Sequence, residues 1–337
     1  MEIVFDLKKN SKVYVGCLPN LKTGGTELIH QLVYVLNRNG INAQILYCYG
    51  DEKTAEHPAF REYNCKYVMQ IPAEDDNKNN VLIVPETYTR LLYQYKNIQK
   101  GIWWLSVDFY FLSLTQGNVI LRTAKDIAKT ILGRKNFKFG KDKNEYIHLC
   151  QSYYAIDFVK KQGCNKVVYL SDYINSDYME KCSDNSIKKA NVLYNPKKGI
   201  EVTRRIMSAY EKKYGADCNW IPLIDMTNEQ VRNCLEESRV YIDFGNHPGK
   251  DRFPREAAIC GCCVITGRRG AAQFYEDVPI NDCYKIDDNN VDAIVTMIHA
   301  CCKDYERHYG EFRAYREMIL HEKEKFETDA ISIFQIK

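Results

Sequence analysis

Apolar and polar positions alternate along this chain with two distinct periods. Residues 12–18, KVYVGCL, are apolar almost without interruption, the pattern of a strand buried on both faces. A polar loop, PNLKTGG, follows. From Thr26 the apolar residues Leu28, Ile29, Leu32, Val33, Val35 and Leu36 recur at helical spacing, and Gly40 ends the run as a C-cap. Residues 43–47 return to the strand pattern. Strand, helix and strand in this order predict a βαβ unit, and hence a parallel sheet. Further strands are predicted at 81–84 and 102–107, with two more at 66–71 and 147–151. Glu86 and Asp108 then fall just past the carboxyl ends of strands, the edge where open α/β sheets bind ligands.

Residues 171–190 are polar and rich in Ser, Asp, Asn and Lys, which marks the approach to a domain boundary. A second alternating series starts beyond them. It runs strand 191–194, helix 200–214, strand 219–222, and a helix from Thr227 with Gln230 completing a capping box. Strand 239–244, helix 254–260 opened by Pro254, and strand 262–266 come next. Helices are predicted at 291–305 and 311–327. A chain of 337 residues suits two α/β domains better than one core. The expected division is 1–180 and 181–315, with 316–337 a helix that crosses back to the first domain.

Composition adds little until it is read locally. A net charge of +3 gives no whole-molecule field that names a partner. Residues 122–143 are the exception: eight basic side chains against two acidic ones make this stretch +6. Ile127, Ile131, Leu132, Phe137 and Phe139 are interleaved among them, so the segment reads either as a surface for an anionic membrane or as a solvated face. No nucleic-acid-binding motif accompanies the charge. The 14 cysteines include the adjacent pairs Cys262-Cys263 and Cys301-Cys302, and Cys260 with Cys262 makes a CxC without a matching pair. This excludes a zinc site and a disulfide framework, and leaves most cysteines as small buried hydrophobes in a reducing compartment. The start, MEIVFDLKKN, lacks the pattern of a signal peptide, and the longest apolar run, 102–114, is too short to span a bilayer and contains Asp108. The expected location is cytoplasmic, peripheral on the inner face of the membrane if 122–143 is a membrane surface.

The chemistry concentrates in residues 243–267, DFGNHPGKDRFPREAAICGCCVITG. The segment leaves a strand, makes a polar loop holding Gly245, His247, Gly249, Lys250, Asp251 and Arg252, enters a short helix and returns to a strand. Glycines admit close backbone approach, and a helix N-terminus attracts phosphate. Lys250 and Arg252 add two cations beside that terminus, a combination suited to a diphosphate. Glu256, in the predicted first turn, is placed to accept hydrogen bonds from ribose hydroxyls.

This segment resembles the donor-binding signature of GT-B glycosyltransferases, above all the "glycosyl transferases group 1" (family 4) proteins. The resembling residues are Glu256-Ala257 at the helix, Gly261 at the turn and 263–266 on the strand. By resemblance Glu256 binds the nucleotide ribose. The family's further glutamate, eight residues earlier, is replaced here by Pro248, which leaves His247, Lys250 or Asp251 to cover its role. Tyr194-Asn195-Pro196-Lys197-Lys198-Gly199 resembles the family's Lys-Gly element, whose lysine contacts the donor diphosphate; Lys198 is the favoured equivalent. Lys22-Thr23-Gly24-Gly25-Thr26-Glu27 resembles the glycine-rich loop of the first domain, and 267–272, with Gly270, the turn near the donor sugar.

The resemblance implies two Rossmann-like α/β/α domains facing a central cleft, and hexosyl transfer with retention. The donor would be a UDP-, GDP- or dTDP-linked sugar, held through Lys198, Gly249, Glu256, Gly24, Gly25 and Gly270. Asp108, His247, Lys250 and Arg252 are the candidates for catalysis, with no essential metal. The acceptor would be a glycan or lipid-linked glycan of a bacterial surface polysaccharide such as capsule or O-antigen. Trp103 and Trp104 read either as a sugar platform or as core, and His148 as a satisfied core histidine. A GT-B nucleotide-sugar epimerase and a non-catalytic nucleotide-sugar-binding protein are the alternatives. A dehydrogenase lacks its GxGxxG fingerprint.

Overall fold

The computed structural model describes residues 4–47, 55–114, 136–181 and 187–336. Of the basic stretch 122–143, residues 122–135, with Arg122, Lys125, Lys129, Arg134 and Lys135, lie outside the described residues. The chain divides into two units: Met1–Asp172 with Glu324–Lys337, and Tyr173–Lys323.

The first unit is built on a parallel sheet of order β3-β2-β1-β4-β5-β6-β7. Its strands are β1 (Lys12–Cys17), β2 (Asn42–Tyr47), β3 (Tyr67–Val68), β4 (Val81–Pro85), β5 (Gln99–Trp104), β6 (Ile147–Cys150) and β7 (Val167–Tyr169). The central strands β1 and β4 are buried on both faces, which is why they read as unbroken apolar runs. Between β1 and β2 the helix Gly24–Arg38 is capped by Thr23 in a reciprocal box with Thr26. It begins two residues before the predicted Thr26, because Thr23 supplies the cap and the two glycines form the first turn.

The predicted strand 102–107 stops earlier, at Trp104. Ser106 Oγ accepts from the Phe109 amide (3.3 Å), which turns the chain into the helix Val107–Leu114. Asp108 therefore sits in the first turn of a helix rather than past the end of a strand. The helix Tyr153–Lys161, capped by Ser152, and the strand β7 carry no sequence-based prediction, being short and weakly periodic. The boundary comes at Asp172, ahead of the expected 180. The Leu170 carbonyl accepts from Trp103 Nε1 (3.0 Å), whereas Ile174 and Tyr178 already pack in the second core.

The second unit has a parallel sheet of order β11-β10-β8-β9. Its strands are β8 (Lys189–Tyr194), β9 (Asn219–Pro222), β10 (Ser238–Asp243) and β11 (Cys263–Thr266). The helix Ile200–Tyr214 links β8 to β9, and Asn228–Glu237, with the capping box of Thr227 and Gln230, links β9 to β10. Between β10 and β11 the helix is Arg252–Ile259, so Pro254 is its third residue rather than its first. The first turn tolerates this, since its N–H groups have no intrahelical acceptor. The chain ends with helices Val291–Lys303, Tyr305–Glu311 and Arg313–Ile333. The last of these runs across the division: its residues to Lys323 belong to the second unit and those from Glu324 to the first.

In each sheet the chain reverses its direction of growth once. In the first this happens between β1 and β4, in the second between β8 and β10. The carboxyl ends of such strand pairs are where doubly wound sheets bind ligands. Most described cysteines are buried free thiols, and Cys260 is disulfide-bonded. No described helix is long and apolar enough to cross a membrane.

Candidate functional site

The carboxyl ends of β8 and β10 lie side by side, with Tyr194 paired to Ile242. Past β8 the chain turns at once: Asn195 accepts from the Lys198 amide on its carbonyl (3.1 Å) and from the Lys197 amide on Oδ1 (3.0 Å). Gly199 then opens the helix Ile200–Tyr214 at φ +60°, and a Cβ there would lie 2.6 Å from the Phe244 carbonyl oxygen. Only glycine lets the two loops pack this closely. The helix has no side-chain cap, so its first N–H groups are left for other acceptors.

This packing sets Lys198 against Asp251, and the two form an ion pair. Asp251 Oδ2 is also 3.0 Å from His247 Nδ1, and Asp243 Oδ1 is 3.4 Å from His247 Nε2. Neither ring nitrogen makes an aligned hydrogen bond, so both contacts are ionic. Asp243 is fixed in turn by the Gly245 amide and the Tyr241 hydroxyl, each at 3.1 Å. Burial opposes a charged His247, but Asp243 and then Asp251 outweigh it, and the imidazole pKa is pushed up to about 10. Burial likewise pushes against a charged Asp243, yet His247, Lys198 and the Gly245 amide hold its carboxyl below the usual range. At neutral pH the four groups form an alternating chain of charges, from Asp243 through His247 and Asp251 to Lys198. Side-chain exposure rises along it, from 0% at His247 to 19% at Asp251 and 27% at Lys198. The lysine is thus the end presented to solvent.

Two chemical consequences follow for residues singled out by sequence. His247, charged and held on both nitrogens, is a fixed cation rather than a general base at neutral pH. Asp243, His247 and Asp251 each offer a ligand atom within 4.8 Å of the others. As charged groups, the three and Lys198 already compensate one another in pairs.

Lys250 does not point its charge at the same place. Its ammonium is buried 2.7 Å from Glu322 Oε1, and Arg255 Nη1 is 2.8 Å from Glu322 Oε2. Arg255 also donates to the carbonyls of Lys250 (3.0 Å) and Asp251 (3.2 Å), so this buried trio braces the loop. Arg252 is the first residue of the helix and half-buried. Glu256 lies beyond the first turn and is buried; both act electrostatically on the Tyr178 hydroxyl, whose pKa rises through burial first and then through Glu256. Gly249 is buried within the loop. Gly270 adopts φ +59° beside His247: the two residues form a parallel bridge, and the Ala271 amide donates to the His247 carbonyl (2.8 Å). Gly270 thereby backs the His247 loop. Arg268 pairs with Asp282 (2.7 Å) and Arg269 with Asp288, so both cations of that turn have carboxylate partners.

In the first unit, Gly24 and Gly25 form the start of the helix past β1. Trp103 and Trp104 are wholly core: Trp103 Nε1 donates to Leu170, and Trp104 Nε1 to His148 Nδ1 (3.0 Å). Neither offers a face to a sugar, and His148 is satisfied on both nitrogens, Nε2 meeting the Lys143 carbonyl at 2.8 Å. Asp108 is half-buried near Tyr154. Glu86, at the end of β4, is buried and accepts from the Leu105 amide (2.9 Å). Burial pushes its pKa up to about 7, against the lowering effect of backbone amides.

Sequence reasoning missed Asp243 as the inner anchor of His247 and Glu322 as the partner of Lys250 and Arg255. Asp243 ends β10 while His247 and Asp251 lie in the loop beyond it, so no periodicity marks the three as a face. Glu322 is 67 residues from Arg255 along the chain, beyond any local signal.

No protein-family model matches the chain, and no curated protein matches it in sequence. Among solved structures it is similar to TarM, with a TM-score of 0.66 and 10% identity over 97% of this chain and 99% of that one. Sucrose-phosphate synthase from Thermosynechococcus elongatus gives a TM-score of 0.61 and 14% identity, covering 97% and 98%. The E. coli trehalose-6-phosphate protein bound with UDP-2-fluoro glucose gives 0.58 and 9%, covering 97% and 100%. At these identities the likeness is one of fold. With its two parallel sheets, matched along nearly the whole of each chain, this protein has the GT-B fold that its motifs predict.

Proposed function

We propose that the chain is a glycosyltransferase that takes a sugar from a nucleoside-diphosphate donor held by its second unit. The observation that carries this reading is Lys198. An ammonium is fixed at the switch point of a parallel sheet, just before an uncapped helix N-terminus, with an ion chain behind it. Cation and helix dipole there suit a diphosphate, and they stabilise it as charge develops on the departing nucleotide. Arg252 adds a second cation. Glu256 takes the ribose, Gly249 and Gly270 shape the loops around the sugar, and Gly24 and Gly25 belong to the donor-binding set by resemblance. Similarity of fold to TarM, and to a protein bound with UDP-2-fluoro glucose, supports the donor class.

Asp108 remains the proposed acceptor-side carboxylate, with Glu86 as its neighbour in role. The acceptor is a glycan or lipid-linked glycan of a surface polysaccharide, and retention of configuration goes with the resemblance. The basic stretch 122–143 would hold the protein to an anionic membrane surface. The test is a thermal-shift screen against UDP, GDP, dTDP, CMP, NAD and the common sugar conjugates. A ligand that binds the native state raises its stability, by about 2.7 kcal/mol at a hundred times its dissociation constant. A shift with one nucleoside diphosphate and its sugar conjugate is the expected result. A shift with NAD alone, with nothing, or turnover of the donor into another nucleotide sugar without acceptor would overturn the reading.

A further inference from the structure

We propose that Asp251 is an internal counter-ion at the donor site: it holds Lys198 when no donor is bound, and it passes to His247 when a diphosphate takes the lysine. This rests on the reading of the second unit as the donor site.

Three observations carry it. First, one carboxylate oxygen, Asp251 Oδ2, faces both cations, Lys198 Nζ and His247 Nδ1, the latter at 3.0 Å. Were Lys198 to leave, the carboxylate would keep a cationic partner. Without His247, an incoming polyanion would meet an uncompensated negative charge, which is costly in a partly buried site.

Second, the two contacts differ in accessibility. His247 is fully buried and Asp243, its inner anchor, nearly so, while Lys198 and Asp251 keep 27% and 19% of their side-chain exposure. The outer pair can open to solvent and the inner one cannot. A half-buried pair that keeps this much solvent exposure is weaker than a fully buried one, so the exchange opposes binding only modestly.

Third, Asp251 occupies the N-cap of the helix Arg252–Ile259, where an aspartate ordinarily accepts from the first amides. Here its side chain makes no capping bond. The carboxylate is committed to the two cations instead, although capping would stabilise the helix. A residue kept only for the helix would cap it.

The experiment titrates inorganic pyrophosphate, which carries the diphosphate without a base, into the full-length protein by calorimetry. In Asp251→Asn, Lys198 loses its internal competitor, and pyrophosphate should bind more tightly, roughly fivefold. In a Lys198→Ala background the same substitution should give no gain. Asp251→Ser provides a second variant that can cap the helix, and it should show the same tightening. Weaker or unchanged pyrophosphate binding in both variants overturns the proposal. So does a gain of equal size without Lys198, which would reveal mere loss of negative charge. If the wild type binds neither pyrophosphate nor any nucleoside diphosphate, the donor-site reading itself fails. If it binds them and Asp251→Asn gains nothing, only the counter-ion role fails.

Discussion

Glu86 shows how one side chain takes its chemistry from its surroundings. The sequence places it after an apolar run and a proline, at the sheet edge where ligands bind. In the fold its carboxyl is enclosed, with the Leu105 amide as a hydrogen-bond donor, and burial pushes its pKa up to about 7. The folded state therefore holds the proton more tightly than the unfolded chain, whose group titrates near 4.5. Its contribution to stability is complete below about pH 4.5 and is lost as pH rises through 7. The loss amounts to at most about 3 kcal/mol. Glu86→Gln keeps the acceptor oxygen and removes the titration. Its melting temperature relative to wild type should climb between these two pH values and level off above them. A difference that does not vary with pH would show that the carboxyl is ionised in the fold.

The loops past β8, β10 and β11 act as one assembly because their backbones touch. Gly270 is the tightest of these contacts: at φ +59°, a Cβ would sit 2.0 Å from the His247 carbonyl oxygen. Gly270→Ala cannot be relieved by a side-chain rotation, since both clashing groups are backbone. We expect it to cost at least about 2 kcal/mol and to release His247 from its place between the two carboxylates. Chemical denaturation measures the first, and loss of nucleotide-induced stabilisation the second. A variant as stable as wild type would mean that the turn at Gly270 is free to move. The sequence marks this glycine only as part of a Gly-Arg-Arg-Gly turn; its neighbour, 23 positions upstream, comes from the topology.

Across the molecule, the last long helix serves both units of the chain, and its Glu322 stands in the second. That carboxylate pairs with both Lys250 and Arg255, which are buried, and so anchors the loop that carries Asp251. Glu322→Gln would leave two buried cations with one fewer charge to balance them. Breaking such a cluster costs about 3–5 kcal/mol. The melting temperature should fall accordingly, with the second unit unfolding first. A fall within the range of ordinary surface substitutions would mean that water already compensates Lys250 and Arg255.

Periodicity and capping chemistry, which are local, were enough to read the alternating βα order, the parallel sheets, the helix Ile200–Tyr214 and the capping box at Thr227. The Lys-Gly and Glu-Ala motifs likewise pointed to the GT-B fold from neighbouring residues alone. Helix starts were read less well, since Thr23 caps through another threonine and Pro254 tolerates three positions in a first turn. Which charge meets which was not legible. Asp243, His247, Asp251 and Lys198 become one chain only where β8 and β10 lie side by side, and Lys250 finds Glu322 only once the last helix has packed. Ion pairing depends on distance through space, and a sequence carries distance only along the backbone.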